Sequence, residues 1–219
     1  MTEKRYVEII CVVDRSGSMG AIESDAIGGF NKFLREQKQE AGEARFTLVL
    51  FNHEYQVLHD GVELQRVPEL DAATYAVGGM TALLDAVGTA VDAARARIAR
   101  LTENERPAAV IVAILTDGLE NSSSEYTAPQ IFEKIRNLRA REGWEFVFLG
   151  ADQDAVKEAT RMGIAKDDAH DFSRTGEGVQ GAYRRMSART SRTRRRTRHP
   201  RRRSSTQEES TPIGFHKAD

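Results

Sequence analysis

The sequence predicts an α/β fold: a Rossmann-like, doubly wound, mostly parallel central sheet with one antiparallel edge strand and helices on both faces. Three observations predict it. The runs Val7 to Val13 and Ala109 to Leu115 are rich in β-branched residues and read as central strands buried on both faces. Segments with apolar residues at helical spacing alternate with such strands, the pattern of a parallel sheet covered on both sides. The 219 residues suffice for one domain of about 170 to 180 residues plus an appendage.

In chain order, the first strand covers residues 6–13. Ile22, Ala26, Ile27, Phe30, Phe33 and Leu34 recur at helical spacing and predict a helix over 23–39. Residues 45–51 form a second strand, and the Asn52-His53 turn leads to a short strand over 55–58 that returns antiparallel at the sheet edge. Leu84, Val87, Val91, Ala94 and Ile98 form the inner stripe of a helix over 82–101. A strand over 109–116 precedes a helix over 128–142, whose Ile131, Ile135 and Leu138 face inward. A strand over 144–149, a short helix over 152–162 and a strand over 169–172 complete the sheet. Residues 178–190 read as a last helix docking Val179, Tyr183 and Met186.

The chemistry gathers at strand ends. Asp14-Arg15-Ser16-Gly17-Ser18 follows the first strand, and the turn at Gly17 brings one carboxylate and two hydroxyls on alternate residues together. Taken alone, the same residues also read as helix caps beside an ordinary loop acid. Two further segments repeat the theme: Gly78-Gly79-Met80-Thr81 at the mouth of a helix, and Thr116-Asp117-Gly118 after a central strand. Ligand sites of open α/β sheets lie beyond the carboxyl ends of the strands, so the three segments can meet there. Hard oxygen donors of low total charge suit Mg²⁺ or Mn²⁺.

This set resembles the von Willebrand factor A-type domain with its metal-ion-dependent adhesion site (MIDAS). The family pattern is Asp-x-Ser-x-Ser, a distant Thr, and a distant Asp after a central strand. Asp14, Ser16 and Ser18 match the first element, Thr81 the second and Asp117 the third, with no departure at the five positions. The resemblance extends over residues 5–173. It implies a divalent cation at these five residues and a partner protein that presents a Glu or Asp carboxylate to it. In relatives some of these contacts are direct and others run through water.

Other polar residues have structural readings. Asp85 lies one helical turn past Thr81, where it either orients the site or starts the helix. Glu120 and Asn121 flank the proposed site, and Ser122, Ser123 and Ser124 are turn formers. Asp152 and Asp154 read as an N-cap and a first-turn acid. His53 and His59 have no Cys or third His nearby, which argues against zinc. The sequence contains neither a nucleophile elbow nor a phosphate-binding Gly-rich loop.

Charge divides the chain. Residues 184–219 carry 12 Lys or Arg against three acids, a net +9, whereas the preceding 183 residues carry −10 within a total of −1. The domain is therefore expected to span 1–183, followed by an arginine-rich tail over 184–219 that is disordered beyond about residue 190. Such a tail offers weak contact with nucleic acid or with an acidic surface, its own domain included, or no function. No 18-residue apolar stretch or secretory signal is present, and the only cysteine, Cys11, lies within the first strand. A cytoplasmic protein without membrane contact is expected.

Two function classes follow. One is a metal-dependent protein–protein interaction module, the reading favoured here. The other is a phosphatase-like hydrolase with Asp14 as nucleophile, which would want a second acid where Ser16 stands.

Overall fold

The computed structural model describes residues 6–151 and 155–198. Six strands form one sheet in the order β3-β2-β1-β4-β5-β6, with β1 Val7–Asp14, β2 Ala44–Phe51, β3 Tyr55–Glu63, β4 Ala109–Thr116, β5 Glu145–Ala151 and β6 Ala169–Phe172. All neighbours run parallel except the edge pair β2–β3. The helices are α1 Glu23–Gln39, α2 Leu83–Ala99, α3 Ala128–Asn137, α4 Ala155–Arg161 and α5 Gly176–Arg198.

The sheet separates two apolar layers. Val7, Ile9, Cys11 and Val13 of β1 pack with α1 and α5, while Ile10 and Val12 pack with α2, α3 and α4. That alternation makes β1 apolar at nearly every position. Besides Asp14 at its end, the exception is Glu8, fully buried toward α2, where Arg97 Nη2 lies 2.9 Å from Glu8 Oε1 and Thr47 donates to the same oxygen. Because α1 follows β1 onto one face and α3 follows β4 onto the other, the loops after these two adjacent strands diverge. They leave the crevice in which open α/β sheets place ligands.

Local chemistry fixes the boundaries. Gln130 Oε1 accepts from the Thr127 N–H at 2.8 Å, a capping box that starts α3. A π-turn over Leu138–Glu142 extends that helix to Gly143, whose φ of 67° ends it before Trp144. The edge strand β3 runs to Glu63, five residues beyond expectation. Gly61 (φ 62°) and register shifts in the β2–β3 pairing let it continue past an irregularity. Asp152 and Asp154, expected to start the next helix, lie outside the described residues.

The C-terminal boundary differs from the expectation. Residues 184–198, assigned to the tail, form the second half of α5, so a domain limit at residue 183 falls inside a helix. The helix is continuous because Val179, Ala182, Tyr183, Met186, Ser187, Thr190, Thr193 and Arg194 form one buried stripe at helical spacing. Its second half packs small polar residues where an apolar count finds nothing. Gly29 of α1 makes the approach possible, since a methyl group there would lie 2.3 Å from the Tyr183 ring. The Arg194 guanidinium donates to the carbonyls of Gln37 and Glu40, which the end of α1 leaves without helical partners, and to that of Gly42 in the loop that follows. Outside the stripe, Arg189 reaches Glu145 and Asp168, Arg195 reaches Glu40, and Arg196 reaches Glu145. The acidic surface these arginines meet is that of their own domain. The remainder of the expected tail, 199–219, lies outside the described residues. Among the described residues, no helix is long and apolar enough to cross a membrane.

Arg194→Ala should lower stability by about 2–4 kcal/mol, because several carbonyls lose a charged donor and a buried side chain leaves a void. Urea unfolding of the variant against the parent chain measures this, and an unchanged midpoint would contradict the packed helix.

Candidate metal centre

Asp14 ends β1, and Asp117 follows the last residue of the adjacent β4. Both are buried, and neither is left bare. Asp14 Oδ1 accepts the Ser16 N–H at 2.6 Å, and Oδ2 accepts the Thr116 hydroxyl at 2.5 Å. Ser18 Oγ donates to Asp117 Oδ1 at 2.6 Å and lies 3.1 Å from Ser16 Oγ. Burial holds the Asp14 carboxyl above its ordinary pKa, against the bonds from Thr116 and Ser16, and the Asp117 charge adds to the rise.

Thr81 comes to the same place from a distant loop. Gly78 N–H donates to the Arg15 carbonyl at 2.9 Å, and Gly17 N–H donates to the Gly79 carbonyl at 3.0 Å, so this turn is tied to the loop after β1. Gly79 has a φ of 77°, and a methyl group there would strike the His53 ring at 2.1 Å, so only glycine fits. Asn121 Oδ1 accepts the Thr81 N–H, and the Thr81 carbonyl accepts from the N–H groups of Asn121 and Ser122. A methyl group on Gly118 would lie 2.6 Å from Thr81 Oγ1, 3.3 Å from Ser18 Oγ and 3.4 Å from Ser16 Oγ. Three hydroxyls therefore converge on one point, with Asp117 bonded to one of them and Asp14 to the Ser16 amide, and the missing side chain at Gly118 keeps it open.

The residues flanking this cradle hold loops. Glu120 accepts from the N–H groups of Leu84, Ser122 and Ser123, so it caps the start of α2 and shapes its own turn. Asp85 accepts from the N–H groups of Ser124, Glu125 and Tyr126, the structural of its two readings. Two contributors carried no signal in the sequence. Tyr75, buried, donates its hydroxyl to the Asp14 carbonyl. Arg174, between β6 and α5, donates Nη2 to the Asp117 carbonyl, with Nε 3.6 Å from Asp117 Oδ2. Both contacts join residues more than 50 positions apart, beyond the reach of any local pattern.

All five sequence-predicted ligands thus meet. Their chemistry, two carboxylates and three hydroxyls with no imidazole or thiolate, fits a hard divalent cation. Among the described residues, no group of three or more His, Cys, Asp or Glu side chains offers a competing site.

The sequence matches the family model of the von Willebrand factor type A domain over residues 8–180. No curated protein matches it. Among solved structures, the chain is similar to proximal thread matrix protein 1 from the mussel byssus with zinc occupied MIDAS motif (16% identity, TM-score 0.59, 86% of this chain and 46% of that one). It is also similar to the vWF domain of the type V pili tip protein Mfa5 from Porphyromonas gingivalis (14% identity, TM-score 0.59, 87% of this chain and 97% of that one). A third is von Willebrand factor type A from Catenulispora acidiphila (18% identity, TM-score 0.53, 86% of this chain and 43% of that one). This chain spans less than half of the mussel and Catenulispora chains, and at these identities the likeness is one of fold.

Asp14→Asn should stabilise the metal-free protein by about 1–2 kcal/mol, because it removes one of two neighbouring buried charges and keeps the shape. Urea unfolding in EDTA reads this directly, and a lower midpoint would mean that the carboxylate is itself part of the scaffold.

Proposed function

The chain belongs to the von Willebrand factor type A domain family, and from that premise we propose that it is a binding module that engages an Asp or Glu side chain of a partner protein through a divalent cation. Asp14, Ser16, Ser18, Thr81 and Asp117 hold the ion. The observation that carries the reading is the convergence of the Thr81, Ser16 and Ser18 hydroxyls on the space above Gly118, with the buried Asp117 carboxylate bonded to Ser18 and the buried Asp14 carboxylate to the Ser16 amide. When bound, the ion supplies a Lewis-acidic position that a third carboxylate fills. Mg²⁺ or Mn²⁺ suits the all-oxygen donor set better than zinc, which favours imidazole and thiolate. A cytoplasmic location belongs to the same reading. It is supported by the single cysteine, whose thiol is buried and pushed up in pKa.

We read the protein as a non-enzyme. A nucleophilic Asp14 needs a free oxygen facing its substrate and an acid nearby. Here its two oxygens accept from Ser16 N–H and the Thr116 hydroxyl, and position 16 is serine.

Calorimetry with Mn²⁺ should give one site per chain, reversed by EDTA. Thr81→Ala should weaken it at least about tenfold with little change in melting temperature, and Gly118→Ala should weaken it further by filling the cradle. A folded sample that gives no Mn²⁺ heat would overturn the metal reading. Purified protein should also leave phosphate esters intact, and metal-dependent phosphate release that vanishes in Asp14→Asn would assign it to the hydrolases.

A further inference from the structure

Asp117 differs from Asp14 in what compensates its charge. Asp14 is surrounded by neutral donors, whereas Asp117 has a cation beside it, the Arg174 guanidinium. The Asp117 side chain is fully buried, and that of Arg174 is 42% exposed. The guanidinium therefore lies at the solvent side of the carboxylate. A cavity of about 180 Å³ lined in part by Asp117, Gly118, Leu119 and Arg174 opens there. Arg174 is held by its bond to the Asp117 carbonyl as well as by charge, which fixes the guanidinium beside the cradle.

The consequence is one of charge. The Arg174 guanidinium places a positive charge beside the Asp117 carboxylate, where it works against a cation entering the cradle and in favour of an anion that follows it. Without Arg174, the ion's open position alone would draw an acidic side chain. We propose that Arg174 is a specificity-determining residue of the centre: it opposes the ion and favours the carboxylate that follows. The inference rests on the metal-binding reading above. It assigns selection of an acidic partner to the guanidinium beside the loaded centre as well as to the ion's open position. The two effects have opposite signs, which a purely structural arginine would not produce.

The test uses the full chain, Mn²⁺ alone, and acetate as the carboxylate probe. Arg174→Ala should bind Mn²⁺ at least about threefold more tightly by calorimetry, since a neighbouring positive charge has gone. Water-proton relaxation of the Mn²⁺-loaded protein reports acetate displacing bound water, and the variant should require about tenfold more acetate than the parent chain. Arg174→Lys keeps the charge and should restore acetate binding to within about threefold of the parent. Equal Mn²⁺ and acetate affinities in the parent and Arg174→Ala would overturn the role of Arg174 and leave the metal reading intact. An absence of Mn²⁺ binding in both would overturn the metal reading itself. Weaker Mn²⁺ binding in Arg174→Ala with an unchanged melting temperature would show that the arginine positions Asp117 instead of opposing the ion.

Discussion

Two carboxylates side by side at the ends of adjacent parallel strands are the constraint around which this molecule is arranged. Buried like charges repel strongly, because little water screens them. Every nearby segment supplies a donor: the Ser16 amide, the Thr116 and Ser18 hydroxyls, and the Arg174 guanidinium. The loop containing Thr81 is tied down at both ends, by Gly78 and Gly79 to the loop after β1 and by Asn121 to the loop after β4. Such an arrangement costs stability in the absence of a cation, and in the reading proposed above the same crowding makes a place for one. Burial of paired acids at the end of a strand is a poor way to hold a fold together and a good way to bind a small, highly charged ion.

The far end of the domain solves a different electrostatic problem. The last turn of α1 exposes carbonyls, and the loop after it adds another. A single buried arginine from α5 answers three of them, and the arginines around it find Glu40, Glu145 and Asp168. A sequence that is strongly basic over residues 184–219 and acidic before them is thus partly neutralised within one body. Exposed pairs of this kind add little each, so most of the anchoring falls to the buried stripe and to Arg194.

What the sequence revealed follows from the range of each signal. β1 and β4 were legible because a strand covered on both faces must be apolar throughout. The five oxygen-bearing residues were legible because a family pattern names them in order. The second half of α5 was not. Ser187, Thr190 and Thr193 are small and polar, so their helical spacing carries no hydropathy signal, and an arginine run reads as solvated. That Arg194 is almost fully buried depends on carbonyls about 150 residues away. Tyr75 and Arg174 escaped notice for the same reason, one aromatic among several and one arginine among many. Asp85 had two readings, and only the N–H groups of residues 124–126 decide between them.

Cys11 sits in the middle of β1, beneath Val179, Ala182, Tyr183 and Met186 of α5. It is fully buried, and burial pushes its thiol far toward the protonated form. It is also the only sulfhydryl in the chain. An alkylating reagent can therefore reach it only when the terminal helix has lifted away or the whole domain has opened. The molecule carries its own clock for these events: the rate at which one sulfur is modified records how often that cover opens, by either route, with no label added and no background from a second site.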